Sequence, residues 1–333
     1  MLNCLKGIGP MLGLGVVALL SSATAAGNLL ERDDVQAFIS EVSDRHERDR
    51  SGIERILGTA TIDPAIIEAI TRPAEALPWH RYRGIFLGQE RIDAGVVWWQ
   101  ENEDLIAAAA GRFGLDPAIL VAVIGVETYY GRYRGRHRVV DALATLAFDY
   151  PPRAGFFRRE LESFLLLVDE EGLDPVAING SYAGAMGMPQ FISSSYRAYA
   201  VDGNGDGRRD LINDTADAIA SVGNYFSRHG WRPGELIALP ARVSDPDAVE
   251  ALANQGRRPY TTIGELRAAG ITPETGPELA DDAPATFLAL DAGDREVYWI
   301  GLHNLFVITE YNHSALYALA VFQLARAIEE ARG

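Results

Sequence analysis

Glu127 closes an apolar run and is followed at once by the turn Thr128-Tyr129-Tyr130-Gly131. A carboxyl placed this way is suited to work as a general acid. The run opens at Asp116-Pro117, an N-cap residue followed by proline at the first helical position, which predicts a helix ending at the glutamate. Leu120, Val123 and Ile124 fall on the face of that helix that carries Glu127. Desolvation there raises a carboxyl's pKa, so that it keeps a proton near neutral pH and gives it to a leaving group. The competing reading is a helix-end glutamate paired with Arg132 or Arg134.

A second segment runs Asn179-Gly180-Ser181-Tyr182-Ala183-Gly184-Ala185-Met186-Gly187-Met188-Pro189-Gln190-Phe191. Its small residues let backbone approach a ligand closely, and Ser181 and Gln190 offer directional hydrogen bonds to hydroxyl and acetamido groups. A tight helix–helix crossing is the alternative for the same composition. A third segment, Asp202 to Asp214, has the opening of an EF-hand loop. Asp202, Asn204, Asp206 and Asp210 stand at ligand positions one, three, five and nine, glycine at six, and the Arg208 carbonyl at seven. Position twelve is Asn213, followed by Asp214, where a bidentate glutamate is usual. Weak binding of a structural Ca²⁺ (or Na⁺) is expected, outside the chemistry; a metal-free Asp/Gly turn is the alternative.

The elements that must position these groups are mainly helical. Periodic apolar runs extend from Arg32 to about His229, and Gly114 and Gly230 mark helix ends. The expected organisation is a signal segment at 1–26, an N-terminal helical region at 27–115 and a core at 116–235. A variable mixed insertion at 236–310 and a C-terminal helix at 311–333, packing back on the core, complete it. Within the insertion, Thr286 to Leu290 and Glu296 to Ile300 read as a hairpin across Asp291-Ala292-Gly293-Asp294, with a third strand at Leu305 to Thr309. The fold class is therefore mainly α (α+β).

The chain has 333 residues, 48% hydrophobic and 23% charged, an ordinary globular composition. A net charge of −16 argues against a generic nucleic-acid binder. It leaves room for a local basic patch, which Arg132, Arg134, Arg136 and Arg138 form beside Glu127; these arginines are expected to meet substrate carboxylates. Lys6, the apolar stretch Met11 to Leu20 and Ala23-Thr24-Ala25 read as a secretory signal. The sole cysteine, Cys4, precedes the apolar stretch, whereas a lipoprotein cysteine would follow it. Periplasmic, soluble residence without stable membrane insertion is expected.

The run Ile124-Gly125-Val126-Glu127-Thr128, with Asp141-Ala142-Leu143-Ala144-Thr145-Leu146 and the Gly-Ala-Met-Gly segment, resembles the membrane-bound lytic transglycosylase B family, glycoside-hydrolase family 103. The likeness extends back to Trp79-His80-Arg81-Tyr82-Arg83 and Gly95-Val96-Val97-Trp98-Trp99, and forward to Tyr298–Asn304 and Tyr311–Tyr317. It implies a lysozyme-like helical core that cleaves peptidoglycan glycan strands without water. In that mechanism one glutamate, here Glu127, protonates the glycosidic oxygen. The substrate's acetamido oxygen stabilises the cationic centre, and the glutamate then deprotonates the C6 hydroxyl to close a 1,6-anhydro ring.

The resemblance also assigns Ser181 to orienting the acetamido group, Gln190 to substrate binding, and Tyr82, Tyr225, Tyr311, Asn312 and Tyr317 to the saccharide cleft. Arg153 matches a cleft arginine, but Pro152 stands where a second arginine is common and Phe156 where tyrosine can occur. No cofactor is needed for catalysis. A monomer is expected, and no residue specifies a partner among cell-wall synthesis or division proteins. An ordinary retaining glycosidase needs a second carboxylate about 5 Å from the first. Asp141 reads instead as a helix N-cap, and Asp149 precedes a Tyr-Pro-Pro turn. A hydrolytic muramidase and a non-catalytic peptidoglycan-binding scaffold are the alternatives.

Overall fold

The helix Pro117–Thr128 is the axis of the molecule. Asp116 caps it, accepting from the Ala118 N–H at 2.8 Å, and Tyr129, in the left-handed region, ends it. Every residue from Ala118 to Val126 is buried, so the helix is apolar all round rather than on the single face that the spacing of Leu120, Val123 and Ile124 suggested. The computed structural model describes residues 29–71 and 77–333. The expected signal at 1–26, with Cys4, lies outside them.

Gln89–Glu101, Glu103–Phe113, Thr215–Arg228 and Ala315–Arg332 pack around the central helix and form one apolar core. A second core joins Val139–Asp149 and Ala154–Glu170 to the N-terminal helices Asp33–His46 and Arg50–Leu57. The GAMGM segment lies where the two cores meet, with Met188 in the first and Met186 in the second.

A five-stranded antiparallel sheet carries a third, smaller core. Its order is Thr261–Thr262, Pro284–Asp291, Glu296–Gly301, Ala238–Val243, Ile271–Pro273. The hairpin pairs Asp291 with Glu296, and Asp291 accepts from the Gly293 N–H at 2.7 Å within the turn.

One expected strand is not a strand. Leu305 to Thr309 lies in the helix His303–Tyr311. Its β-branched residues favour a strand locally, but tertiary packing overrides that preference. Asn304, fully buried, accepts from the Arg232 N–H and donates to the Arg232 and Glu235 carbonyls. Leu305 and Ile308, one helical turn apart, enter the main core. The segment thus forms a helical hairpin with Ala315–Arg332, whose first turn is capped by Ser314.

Candidate active site

Glu127 sits at the last turn of its helix, partly accessible, with its carboxyl enclosed by protein. The Tyr317 hydroxyl donates to its Oε1 at 2.6 Å. Burial pushes the Glu127 pKa up from 4.5 to about 7, opposed by the Tyr317 hydrogen bond, which favours the carboxylate. The desolvated acid read from the helix pattern is therefore present, and its partner is a tyrosine. Arg134, the alternative partner, instead donates to the Gly131 and Ile212 carbonyls.

Tyr317 lies parallel to Tyr311, with ring centroids 6.3 Å apart and planes at 9°. The Tyr311 hydroxyl donates to the Pro189 carbonyl at 2.6 Å, and the Tyr225 hydroxyl to the Glu310 carbonyl at 2.7 Å. Tyr225 meets Tyr311 edge-on at 4.8 Å. Tyr82, stacked on Trp79 at 6.4 Å, is near enough to Tyr317 to raise its pKa further. These four tyrosines make one aromatic wall running away from the carboxyl.

The segment of Ser181 and Gln190 adjoins this wall through the hydrogen bond from Tyr311 to Pro189. Ser181 Oγ accepts from the Ala183 and Ala185 N–H groups at 3.2 and 3.1 Å, which leaves its own O–H to donate. Gln190 has a positive φ of 52° and donates Nε2 to the Gly187 carbonyl at 2.9 Å. Its Oε1 remains the end able to accept. Thr128 Oγ1 donates to the Met188 carbonyl at 2.9 Å and ties this segment to the end of the Glu127 helix. The closest approaches at the segment's glycines are to protein: a Cβ on Gly180 would lie 2.3 Å from the Ala185 carbonyl and one on Gly184 2.5 Å from Leu143. Their smallness lets the segment fold on itself and on the helix beneath.

Residues 31–326 match the family described as the Transglycosylase SLT domain. Over 316 residues the chain is 41% identical to membrane-bound lytic murein transglycosylase B of Escherichia coli K12, covering 92% of this chain and 85% of that protein. The chain belongs to the lytic transglycosylase family. Catenated SltB1 from Pseudomonas aeruginosa superposes with a TM-score of 0.86 at 44% identity, covering 91% of this chain and 99% of that one. Escherichia coli Slt35 in complex with bulgecin A gives 0.84 at 41% identity, covering 92% and 96%; its complex with calcium gives 0.82 at 40%, with the same coverage. The fold is thus the lysozyme-like one of these lytic transglycosylases, and the chain is an enzyme of peptidoglycan cleavage.

Within this lytic transglycosylase, no second carboxylate joins Glu127 from the neighbourhood in sequence. Asp141 is in the first turn of Val139–Asp149 rather than at its N-cap, which is Arg138; it accepts from the Thr61 N–H at 2.9 Å and pairs with Arg138. Asp149 pairs with Arg32 at 2.6 Å. A large cavity of about 840 Å³ lies at the other end of the Glu127 helix, lined by Asp116, Trp231, Trp299, Phe322 and Arg326 among others. Its carboxylates are engaged as well: Asp116 caps the helix, and Glu235 and Glu330 face Arg232 and Arg326.

Two further expected cleft residues, Arg153 and Asn312, lie at helix ends. Arg153 lies over the Phe156 ring at 4.4 Å, at the start of Ala154–Glu170. Asn312 is exposed at the end of His303–Tyr311.

The loop from Asp202 to Asp214 closes on its own backbone. Asp202 accepts from the Gly205 and Gly207 N–H groups, which hold its carboxyl below the usual range; Asn204 accepts from Asp206, Asp206 from Arg208, and Asp210 from Ile212 and Asn213. Asp214 caps Thr215–Arg228 and also accepts from the Asn204 side chain at 2.7 Å. The donor set is that of a hard cation, with the closing position lacking, since the Asn213 amide is turned to Asp210. Among the described residues no three Asp, Glu, His or Cys side chains converge as a metal cluster.

Sequence reasoning missed Asp217, buried beneath this loop, which accepts from the Gly203 and Asp210 N–H groups. Its position three residues after the Asp214 cap was the available signal. It also missed Arg91 and Tyr130. Tyr130 fills the crossing of two helices, where a Cβ on Gly95 or Gly125 would meet it at 2.5 and 2.7 Å, and donates to the Arg91 carbonyl. Tyr130 stands in the turn directly after Glu127, but no spacing in the sequence links Arg91 to it.

Proposed function

We propose that Glu127 is the single acid and base of a water-independent cleavage between N-acetylmuramic acid and N-acetylglucosamine, giving 1,6-anhydro ends. The observation that carries this reading is one enclosed carboxyl with a pKa near 7 and a tyrosine as its partner. Near neutral pH such a group gives a proton to the glycosidic oxygen and then takes one from the C6 hydroxyl with similar ease. The substrate's acetamido oxygen stabilises the intermediate cation, and ring closure returns the proton, leaving Glu127 as it began. Ser181 donates to the acetamido carbonyl, and Gln190 accepts from a sugar hydroxyl. Tyr82, Tyr225, Tyr311 and Tyr317, with Asn312 and Arg153, line the glycan path.

Mass spectrometry of peptidoglycan digested by the mature protein tests this against a Glu127→Gln control. Anhydromuropeptides are expected from the unmutated protein alone. Reducing ends would make the enzyme a hydrolase, and binding without products a scaffold.

The loop holds a structural calcium or sodium ion through Asp202, Asn204, Asp206, the Arg208 carbonyl and Asp210, with Asn213 and Asp214 near the open side. That ion supplies rigidity and takes no part in bond cleavage. No single helix among the described residues is long and apolar enough to cross a membrane. The signal pattern at 1–26 favours a protein that works in the periplasm after signal removal.

A further inference from the structure

Of the four arginines that follow Glu127, three are set apart by their contacts. Arg134 is spent on the Gly131 and Ile212 carbonyls, and Arg138 on Asp141 and Thr59. Arg132 is exposed and makes no ion pair among the described residues; its guanidinium lies over the Tyr129 ring, 5.1 Å from the centroid. A second guanidinium lies over the same ring at 4.5 Å. It belongs to Arg91, on the helix Gln89–Glu101, and donates to the Gly125 carbonyl.

Arg91 is only partly exposed and likewise has no carboxylate partner among the described residues. Partial burial adds a desolvation cost to the Arg91 charge, which lowers its pKa. In a chain with 46 acidic and 30 basic residues, acids to neutralise them are plentiful, yet none is placed here. Arg132 is therefore exposed and without a counter-charge, and Arg91, held by the Gly125 carbonyl, sets a second guanidinium over the same ring.

The pair is also continuous with the glycan path. Tyr82, in the tyrosine wall, meets Phe86 at 5.4 Å; Arg91 lies over Phe86 at 5.4 Å and over Tyr129 at 4.5 Å; Tyr133, 72% exposed, meets Tyr129 edge-on. This ribbon of rings and guanidiniums leads from the side of Glu127 to the surface. We propose that Arg91 and Arg132, set over Tyr129, form a receptor for a free carboxylate of the peptidoglycan stem peptide.

The assignment rests on the catalytic reading above and adds a specificity site to it. Guanidinium forks match carboxylates in geometry and charge. The lactyl carboxyl of a peptide-bearing muramic acid is consumed in its amide to the stem, so the free carboxylates near the cleaved bond belong to the peptide. Both guanidiniums rest on the Tyr129 ring, and the exposed Tyr133 beside it offers an apolar surface to the chain that carries the anion.

The test compares peptide-bearing glycan strands with the same strands after their stem carboxylates are converted to amides. The unmutated enzyme is expected to prefer the carboxylate form by about tenfold in kcat/KM. Arg132→Gln, an exposed change, brings that ratio toward one, Arg132→Lys restores part of it, and Arg91→Gln acts in the same direction. Equal rates for the unmutated enzyme on both substrates would overturn the site. So would a loss in Arg132→Gln that is the same on both. Anhydro ends missing from both substrates with every protein would overturn the catalytic reading itself, and the site with it.

Discussion

The Tyr317 hydroxyl reaches Glu127 Oε1 over 2.6 Å, and the two residues are 190 positions apart in the chain. The bond joins the C-terminal end of the central helix to the first turn of the last one. It acts in both directions: it favours the carboxylate of Glu127 against burial, and the carboxylate holds the Tyr317 proton in place. The acid is thus tuned by a neutral donor rather than by an arginine, which would hold it ionised.

A general acid with a pKa of about 7 loses its proton above that pH. The rate kcat/KM is expected to fall about tenfold per pH unit on the alkaline side. Tyr317→Phe keeps the ring and deletes the donor, so the Glu127 pKa rises and the alkaline limb moves up by about half a unit to one unit. A pH–rate profile with the limb unmoved would remove Tyr317 from the tuning of the acid.

The same shift has a stability sign. Because the folded state raises the Glu127 pKa from 4.5 to about 7, its contribution is fully present below 4.5 and is lost as pH rises through 7. Glu127→Gln removes the titration and should gain about 2 kcal/mol relative to the unmutated protein between pH 4 and pH 8, after allowance for partial solvent access. Urea unfolding at the two pH values measures this. An identical difference between the two proteins at both would contradict the assigned pKa.

Calcium at about ten times its dissociation constant should add about 1.4 kcal/mol to stability, or about 2 °C in Tm. Chelator reverses the gain and Asp202→Ala abolishes it, while turnover at temperatures well below Tm stays the same. A calcium-dependent rate under those conditions would place the ion in the chemistry instead.

Gly135 has a φ of +95°, and a Cβ there would lie 2.0 Å from the Gly180 backbone. That contact seats the turn after Glu127 against the strand leading to Ser181, where His137 pairs with Gly180. Gly135→Ala is expected to cost about 2 kcal/mol or more and to lower activity beyond the loss in folded protein. Calorimetry beside single-turnover rates separates the two effects; an unchanged Tm would show that the two segments tolerate separation.

The sequence was most legible where structure is local. Asp116-Pro117 announced the central helix, the Asp291-Ala292-Gly293-Asp294 turn announced the hairpin, and several family motifs in order announced the lysozyme-like fold. Legibility failed where distant segments decide. Leu305 to Thr309 looks like a strand until Asn304 is seen buried against Arg232 and Glu235. Arg91 carries no mark of its closeness to Tyr129, because only the crossing at Gly95 and Gly125 brings them together. Asp141 and Asp149 could be doubted as nucleophiles from sequence, but their engagement by Thr61 and Arg32 could not be read from it.

The bond across 190 positions also sets an order of completion. A chain synthesised only as far as residue 300 already carries Glu127, Ser181 and Gln190, yet lacks Tyr311 and Tyr317 altogether. Such a chain has neither the hydroxyl that reaches the Glu127 carboxyl nor the Tyr311 ring stacked beside it. The hydrogen bond to Glu127 forms only when the helix Ala315–Arg332, of 18 residues, has docked.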